Sequence, residues 1–156
     1  CGGVWKDRAL KAIIPGGSSV PVLRADELKG VNLDYESLAE AGTMLGSGGF
    51  IVMDETTNMV DACENLQHFY THESCGQCTP CREGTGWILK MMKKLCIGDA
   101  KIEDIDKLND ICSQVENHTI CALGDAAAWP VQALIRHYRK DIEKRITVNN
   151  LKKSAE

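Results

Sequence analysis

The sequence predicts an α+β chain in which a small strand unit comes first and a four-helix bundle follows. Up to residue 56 the apolar residues fall in short Val, Ile, Leu and Phe runs bounded by Pro and Gly, whereas from Thr57 onward they recur at helical spacing. Between the first two helical stripes stand three cysteines at two-residue gaps, Cys75, Cys78 and Cys81. These observations set boundaries at 1–56 for the strand unit, 57–148 for the bundle and 149–156 for a polar tail.

In the first unit, Leu10 to Ile14 and Val20 to Leu23 read as strands flanking Pro15-Gly16-Gly17, and Phe50 to Met53 as a third. Asp34 is placed to cap a short helix through Leu38 and Ala41 that ends at Gly42. The segment from Gly16 to Ser19 lacks the strand–GxGxxG–helix context that phosphate binding requires, so it reads as a tight turn. In the second unit, Met59, Cys63, Leu66 and Tyr70 form one stripe. Ile88, Met91, Met92 and Leu95 form the next, and Ile105, Leu108, Cys112 and Val115 the third. Val131, Leu134, Ile135, Tyr138 and Ile142 form a fourth, in a helix that Pro130 is placed to open at its first turn. In an up-down-up-down bundle the loop after the first helix and the loop after the third lie at the same end.

The run ESCGQCTPCREGTGW, residues 73–87, has the two-residue gaps with which ferredoxin-type loops hold three corners of a [4Fe–4S] cube. Gly76, Gly84 and Gly86 suit a loop with positive φ or close backbone approach, and Pro80 stiffens its middle. Zinc competes, but structural zinc sites draw paired cysteines onto one ion, and here the arrangement is three plus one. Three crowded cysteines would leave a disulfide framework with an odd thiol, and no secretory leader is seen. The fourth ligand must come from Cys1, Cys63, Cys96, Cys112 or Cys121. Cys63, Cys96 and Cys112 lie on apolar stripes, where a free cysteine acts as a small hydrophobe. Cys121 follows the polar stretch 116–119 and precedes Gly124, in a loop ahead of a helix, and context favours it.

Other polar residues take plainer roles. His72 and His118 flank the cysteine loops as surface or capping residues, and His68 and His137 sit on helices among polar neighbours. Arg82 is positioned to offset thiolate charge, and Trp87 and Trp129 to wall off water. The chain has 156 residues and a net charge of −4, and the basic residues from Arg136 to Lys153 alternate with Asp141 and Glu143 as a solvated face does. An acidic chain with 5% aromatic residues does not suit nucleic acid. No apolar run approaches the roughly 20 residues of a membrane span, which predicts a soluble chain.

Residues 73–87 together with HTICALGDAAAWPVQALIRHYRKDIEKRI, residues 118–146, resemble the C-terminal region of a known family, the NADH-oxidising flavoprotein subunits of respiratory complex I. The resemblance extends through IIPGGSSVPVL, residues 13–23, and GSGGFIVMDE, residues 46–55. It implies that Cys75, Cys78, Cys81 and Cys121 bind one [4Fe–4S] cluster, and that the strand unit is a truncated β-grasp (SLBB-like) domain with an exposed sheet edge. It further implies a one-electron relay from FMN, reduced by NADH, to neighbouring iron–sulfur subunits of the peripheral arm. That arm would lie on the cytoplasmic face of a bacterial inner membrane or on the matrix side in mitochondria. The family's FMN- and NADH-binding domain has no counterpart in this chain, which starts at Cys1 without Met. The chain therefore reads as a fragment without NADH oxidation of its own. Related subunits serve NAD-linked hydrogenases and formate dehydrogenases, and a zinc-stabilised interaction module or a docking scaffold remain as rival readings.

Overall fold

The computed structural model describes the backbone of residues 2–153 and the side chains of residues 2–148. Cys1, residues 154–156 and the side chains of the 149–156 tail, Lys152 and Lys153 among them, therefore lie outside the described residues. The chain divides into two compact units, Cys1–Asn58 and Met59–Glu156. The α+β expectation, a small sheet followed by a four-helix bundle, is what the structure has.

In the first unit, β1 (Leu10–Ile14) lies between β2 (Leu23–Arg24) and β3 (Ile51–Asp54), antiparallel to both. Ile13 pairs with Leu23 on one side and Val52 on the other, and the β1–β3 register shifts between Leu10 and Ala12. Ile13, Leu23 and Leu38 form the core of this unit, with Leu10, Leu28 and Leu45 packed against it. The second strand, expected over Val20 to Leu23, instead begins at Leu23. The intervening segment folds back on its own turn, with Val20 N–H donating to the Gly17 carbonyl at 3.2 Å. The turn at Gly16 packs backbone to backbone against residues 44–46: a Cβ on Gly16 would stand 2.5 Å from the Met44 carbonyl oxygen. Helix α1 (Tyr35–Glu40) begins as expected, with the Asp34 carboxylate accepting from Ser37 N–H at 2.7 Å.

The second unit holds α2 (Met59–Glu73), α3 (Thr79–Ile97), α4 (Glu103–Val115) and α5 (Leu123–Lys153). The four stripes meet in one interior that includes Ile88, Met92, Leu95, Ile105, Leu108, Leu134 and Ile142. Two stripe positions, Leu66 and Met91, are only half-buried, whereas Gln67, which is outside the stripe, is fully buried. Gln67 tolerates that place because its Nε2 donates to the Ala127 carbonyl of α5 at 2.9 Å.

Helix α5 corrects the reading of Pro130. Instead of opening the helix, Pro130 lies inside it, seven residues past Leu123. The helix starts at Leu123 and runs through the strong helix formers Ala126, Ala127 and Ala128 before the proline is reached. The helix bends later, at Tyr138, whose φ of −127° and ψ of 20° are non-helical. Nor is the last helix only a solvated face. Arg139 grips Asp106 of α4 at 2.6 and 3.1 Å, and Arg145 reaches Asp61 of α2 at 2.9 Å.

Candidate metal centre

Helix α2 ends at Glu73 because the chain must reverse there. Ser74 N–H still donates to the Tyr70 carbonyl at 3.1 Å, and Gly76 then takes a φ of +76°. Cys75 lies in this turn, exposed, and Cys78 stands half-buried at the N-cap of α3. Pro80 occupies the first turn of α3, where its missing N–H would have had no helical partner. Cys81 is therefore on the helix, not in the loop, and it is buried. Gly84 and Gly86 are also helical. A Cβ on Gly84 would collide with Val115 Cγ2, so this glycine permits α4 to approach α3, while Gly86 faces open space.

The second loop is shaped by α5. Asn117 takes a positive φ of 59° while its N–H donates to Asp125 Oδ1 at 2.7 Å. Trp129 Nε1 and Gln132 Nε2 donate to the two carboxylate oxygens of Glu116 at 2.7 and 2.8 Å. Thr119 Oγ1 donates to the Cys121 carbonyl at 2.7 Å, and a Cβ on Gly124 would collide with the Thr119 side chain. Cys121 itself is exposed, two residues ahead of α5.

The two loops converge. Cys75, Cys78, Cys81 and Cys121 line one cavity of about 280 Å³, together with Glu73, Gln77, Ile120 and Leu123. Hydrogen bonding to the Ile120 backbone holds the Cys78 thiol below its usual pKa, against partial burial, with Arg82 contributing at longer range. Burial pushes the Cys81 thiol up; the Ser74 hydroxyl opposes this, and the nearby sulfurs of Cys78, Cys121 and Cys75 add to the rise. Of the other candidates for the fourth ligand, Cys63 and Cys112 are buried in the helix interior and Cys96 is half-buried at the far end of α3. None of them lines this cavity.

One turn deeper, buried polar groups tie the helices together. Thr85 Oγ1 donates to the Cys81 carbonyl at 2.8 Å, and Thr71 Oγ1 donates to the carbonyls of Thr85 and Gln67 at 3.1 and 2.8 Å. Gln67 Oε1 has no partner among the described residues.

Of the flanking residues, the two tryptophans differ from their expected role as walls. Trp87 is 53% exposed and Trp129 is turned to Glu116, and the apolar residues that line the cavity are Ile120 and Leu123. His72 pairs with Glu73, and His118 Nδ1 lies 2.7 Å from the Glu116 carbonyl; neither lines the cavity. Arg82 binds the Gly76 carbonyl at 2.8 Å and so braces the ligand turn as well as supplying charge. Ser74, Glu116 and Asp125 shape the site and do not stand out in the sequence. A serine just before the first cysteine and an Asp in the first turn of α5 are the signals that point to two of them.

Residues 61–145 match the model of the NADH-ubiquinone oxidoreductase-F iron-sulfur binding region. The chain belongs to this family. It is 56% identical over 144 residues to the F subunit of NADH-quinone oxidoreductase from Rickettsia bellii, covering 92% of this chain and 34% of that relative. It is 53% identical over 149 residues to an F subunit of NADH-quinone oxidoreductase from Rhizobium meliloti, covering 94% of this chain and again 34% of the relative. Among solved structures, an NAD⁺-reducing [NiFe]-hydrogenase in the H₂-reduced state superposes with a TM-score of 0.75 at 27% identity, over 90% of this chain and 24% of that one. The air-oxidised form gives 0.74 at 30% identity, over 89% of this chain and 24% of that one. The chain thus spans about a third of the length of the curated relatives it matches. Among the described residues, no helix is long and apolar enough to cross a membrane.

Proposed function

We propose that Cys75, Cys78, Cys81 and Cys121 hold a [4Fe–4S] cluster, and that this chain is the electron-accepting portion of an NADH:quinone oxidoreductase. The observation that carries the reading is the convergence of four thiols from two separate loops on one cavity of about 280 Å³. The donor set is all sulfur, and the apolar side chains of Ile120 and Leu123 line the cavity beside it, which suits an iron–sulfur cluster. The three-plus-one arrangement of the cysteines along the sequence favours a cluster over zinc, whose structural sites draw paired cysteines onto one ion. When bound, a cluster of this kind stores one electron at a time, which matches what a hydride-reduced flavin must give up.

The chain's own residues fix where that guest sits. Arg82 and Gly76 hold the first loop, Glu116 and Asp125 the second, and the Thr85–Thr71–Gln67 links tie α3, α2 and α5 behind Cys81. FMN and NADH belong to the longer protein and the adjoining iron–sulfur subunits are its partners, and we assign none of their binding groups to these residues. The setting is a peripheral arm, at the cytoplasmic face of a bacterial membrane or on the matrix side. A second reading, the same role in an NAD⁺-linked hydrogenase, draws on the 0.75 TM-score. Identity of 56% to a quinone oxidoreductase relative against 27% to the hydrogenase favours the first.

Anaerobic reconstitution followed by iron and sulfide analysis and EPR of the reduced protein tests the reading. Iron and sulfide in equal amounts with a paramagnetic reduced state are expected. Stoichiometric zinc without inorganic sulfide would sink it.

A further inference from the structure

Beyond the four thiols, one hydroxyl reaches a ligand sulfur. Ser74 Oγ lies 3.1 Å from Cys81 Sγ. Two backbone contacts fix that hydroxyl. Ser74 N–H continues the α2 ladder onto the Tyr70 carbonyl, and the Gly76 N–H donates to Ser74 Oγ at 3.4 Å. The Gly76 donor engages a lone pair of the oxygen and leaves its proton free to turn elsewhere. The same turn is clamped from outside by Arg82 on the Gly76 carbonyl. A metal-bound thiolate carries no proton and only accepts, so in the loaded protein the direction of the contact is settled: Ser74 donates and Cys81 accepts. Cys81 is 6% exposed, so water cannot easily substitute for this donor.

Adding an electron to a cluster increases the negative charge on its sulfurs. A donor aimed at one of them stabilises the reduced state more than the oxidised state, and hydrogen bonds to sulfur are among the factors that set cluster potentials. We propose that Ser74 is a positioning residue that raises the reduction potential of the bound cluster through its hydroxyl on Cys81 Sγ. The proposal rests on the four-cysteine reading above. No covalent bond is made or broken; the electron comes from the reductant, and only its affinity for the site changes. A plain structural role, ending α2 and shaping the turn, would use the same backbone contacts but would leave the potential unmoved.

The test is a mediated dithionite titration, followed by EPR, of the full chain reconstituted anaerobically as wild type, Ser74→Ala and Ser74→Thr. With iron and sulfide contents equal, Ser74→Ala is expected to shift the equilibrium toward the oxidised form by about threefold to tenfold, tenfold being about 59 mV for one electron. Ser74→Thr, which keeps the hydroxyl, is expected to return most of that shift. A fully loaded Ser74→Ala protein with the wild-type potential overturns the proposal. Wild-type protein that takes up no iron and sulfide defeats the four-cysteine reading instead. If Ser74→Ala does not assemble a cluster, pulsed EPR of reduced wild type and Ser74→Thr in H₂O and D₂O decides. A coupled exchangeable proton in both supports the bond, and its absence from wild type overturns it.

Discussion

Cys112 and Cys78 carry the same thiol in opposite surroundings. Cys112 lies on the buried face of α4 with none of its surface exposed, and burial pushes its thiol up to about 12. Cys63 on α2 is raised further by the same cause, and Cys96 reaches about 11 through burial and a hydrogen bond to Asp61. Cys78, at the helix N-cap, is instead pulled down by the Ile120 backbone. The difference teaches that the fate of a cysteine here is set by its position on the element. On a helix interior it is a small hydrophobe, and at the end of the bundle a loop backbone donor can favour its thiolate, as at Cys78.

The largest effect that contrast predicts is at Cys121. Cys121→Ser removes one of four sulfurs from the cavity while leaving an exposed loop residue, so helix content by circular dichroism should stay at wild type. Iron and sulfide uptake should fall severalfold and the reduced-state EPR signal should disappear. Cys112→Ala, measured alongside, should take up a full complement. A Cys121→Ser protein that assembles a complete cluster would erase the distinction between the two thiol sets.

Next comes the helix contact that separates them. Gly84 lies one turn after Cys81 and has no room for a Cβ against Val115. Gly84→Ala is expected to cost about 1–3 kcal/mol in urea unfolding, because two packed helices must part. The double variant Gly84→Ala, Val115→Ala relieves the collision and should recover part of the loss, a coupling that a double-mutant cycle measures. Additive effects would show that the new Cβ does not act through Val115, and a stabilised Gly84→Ala would show that helix propensity outweighs the contact.

Much of this is legible in the sequence, and the exceptions share a physical cause. Periodicity locates all four helices of the bundle, because burial of one face dictates spacing whatever the partners are. The cysteine gaps and the polar stretch before Cys121 mark the two loops. Pro130 misleads because proline statistics describe a single residue, while α5 already begins at Leu123 and runs through three alanines before reaching it. Trp87 suggests a wall on sequence proximity alone, yet helical rotation turns it outward. Gln67 does not stand out, since its role depends on an α5 carbonyl distant in sequence, and the role of Ser74 depends on the turn that brings Cys81 back to it. The first unit's strands lie where β1 supplies a partner, and the second shifts to where its register begins.

The buried thiols also predict a pH dependence. A thiol in the unfolded chain titrates near pH ~8.5, whereas Cys112 in the folded protein titrates at about 12. Between those values the unfolded state binds fewer protons than the native state, so stability is fully present below about pH 8.5 and is lost as pH rises through the window. Cys96, raised to about 11, contributes in the same direction. Cys112→Ala is expected to cost about 1 kcal/mol at pH 7 for the deleted buried group, and to flatten the decline between pH 9 and 11. Denaturation midpoints across that range check it; an unchanged slope would mean that Cys112 does not carry the linkage.

The smallest effect belongs to Arg145, at the opposite end of α3 from the ligand loops. Its guanidinium donates to the Cys96 carbonyl at 2.8 Å, satisfying an acceptor in the last turn of α3, and pairs with Asp61 at 2.9 Å. The Asp61 side chain is half exposed, so solvent screens the pair, and Arg145→Met should cost no more than about 1 kcal/mol. Most of that loss should persist at 0.5 M salt if the carbonyl bond dominates and vanish if the ion pair does. Arg145 also offsets the rise in the Cys96 thiol, so its removal should slow alkylation of Cys96 relative to wild type, as mass spectrometry after timed iodoacetamide treatment reads. Iron and sulfide uptake should not change. A loss of cluster in Arg145→Met would mean that the two ends of α3 are coupled and that the interior thiols are not independent of the ligand set.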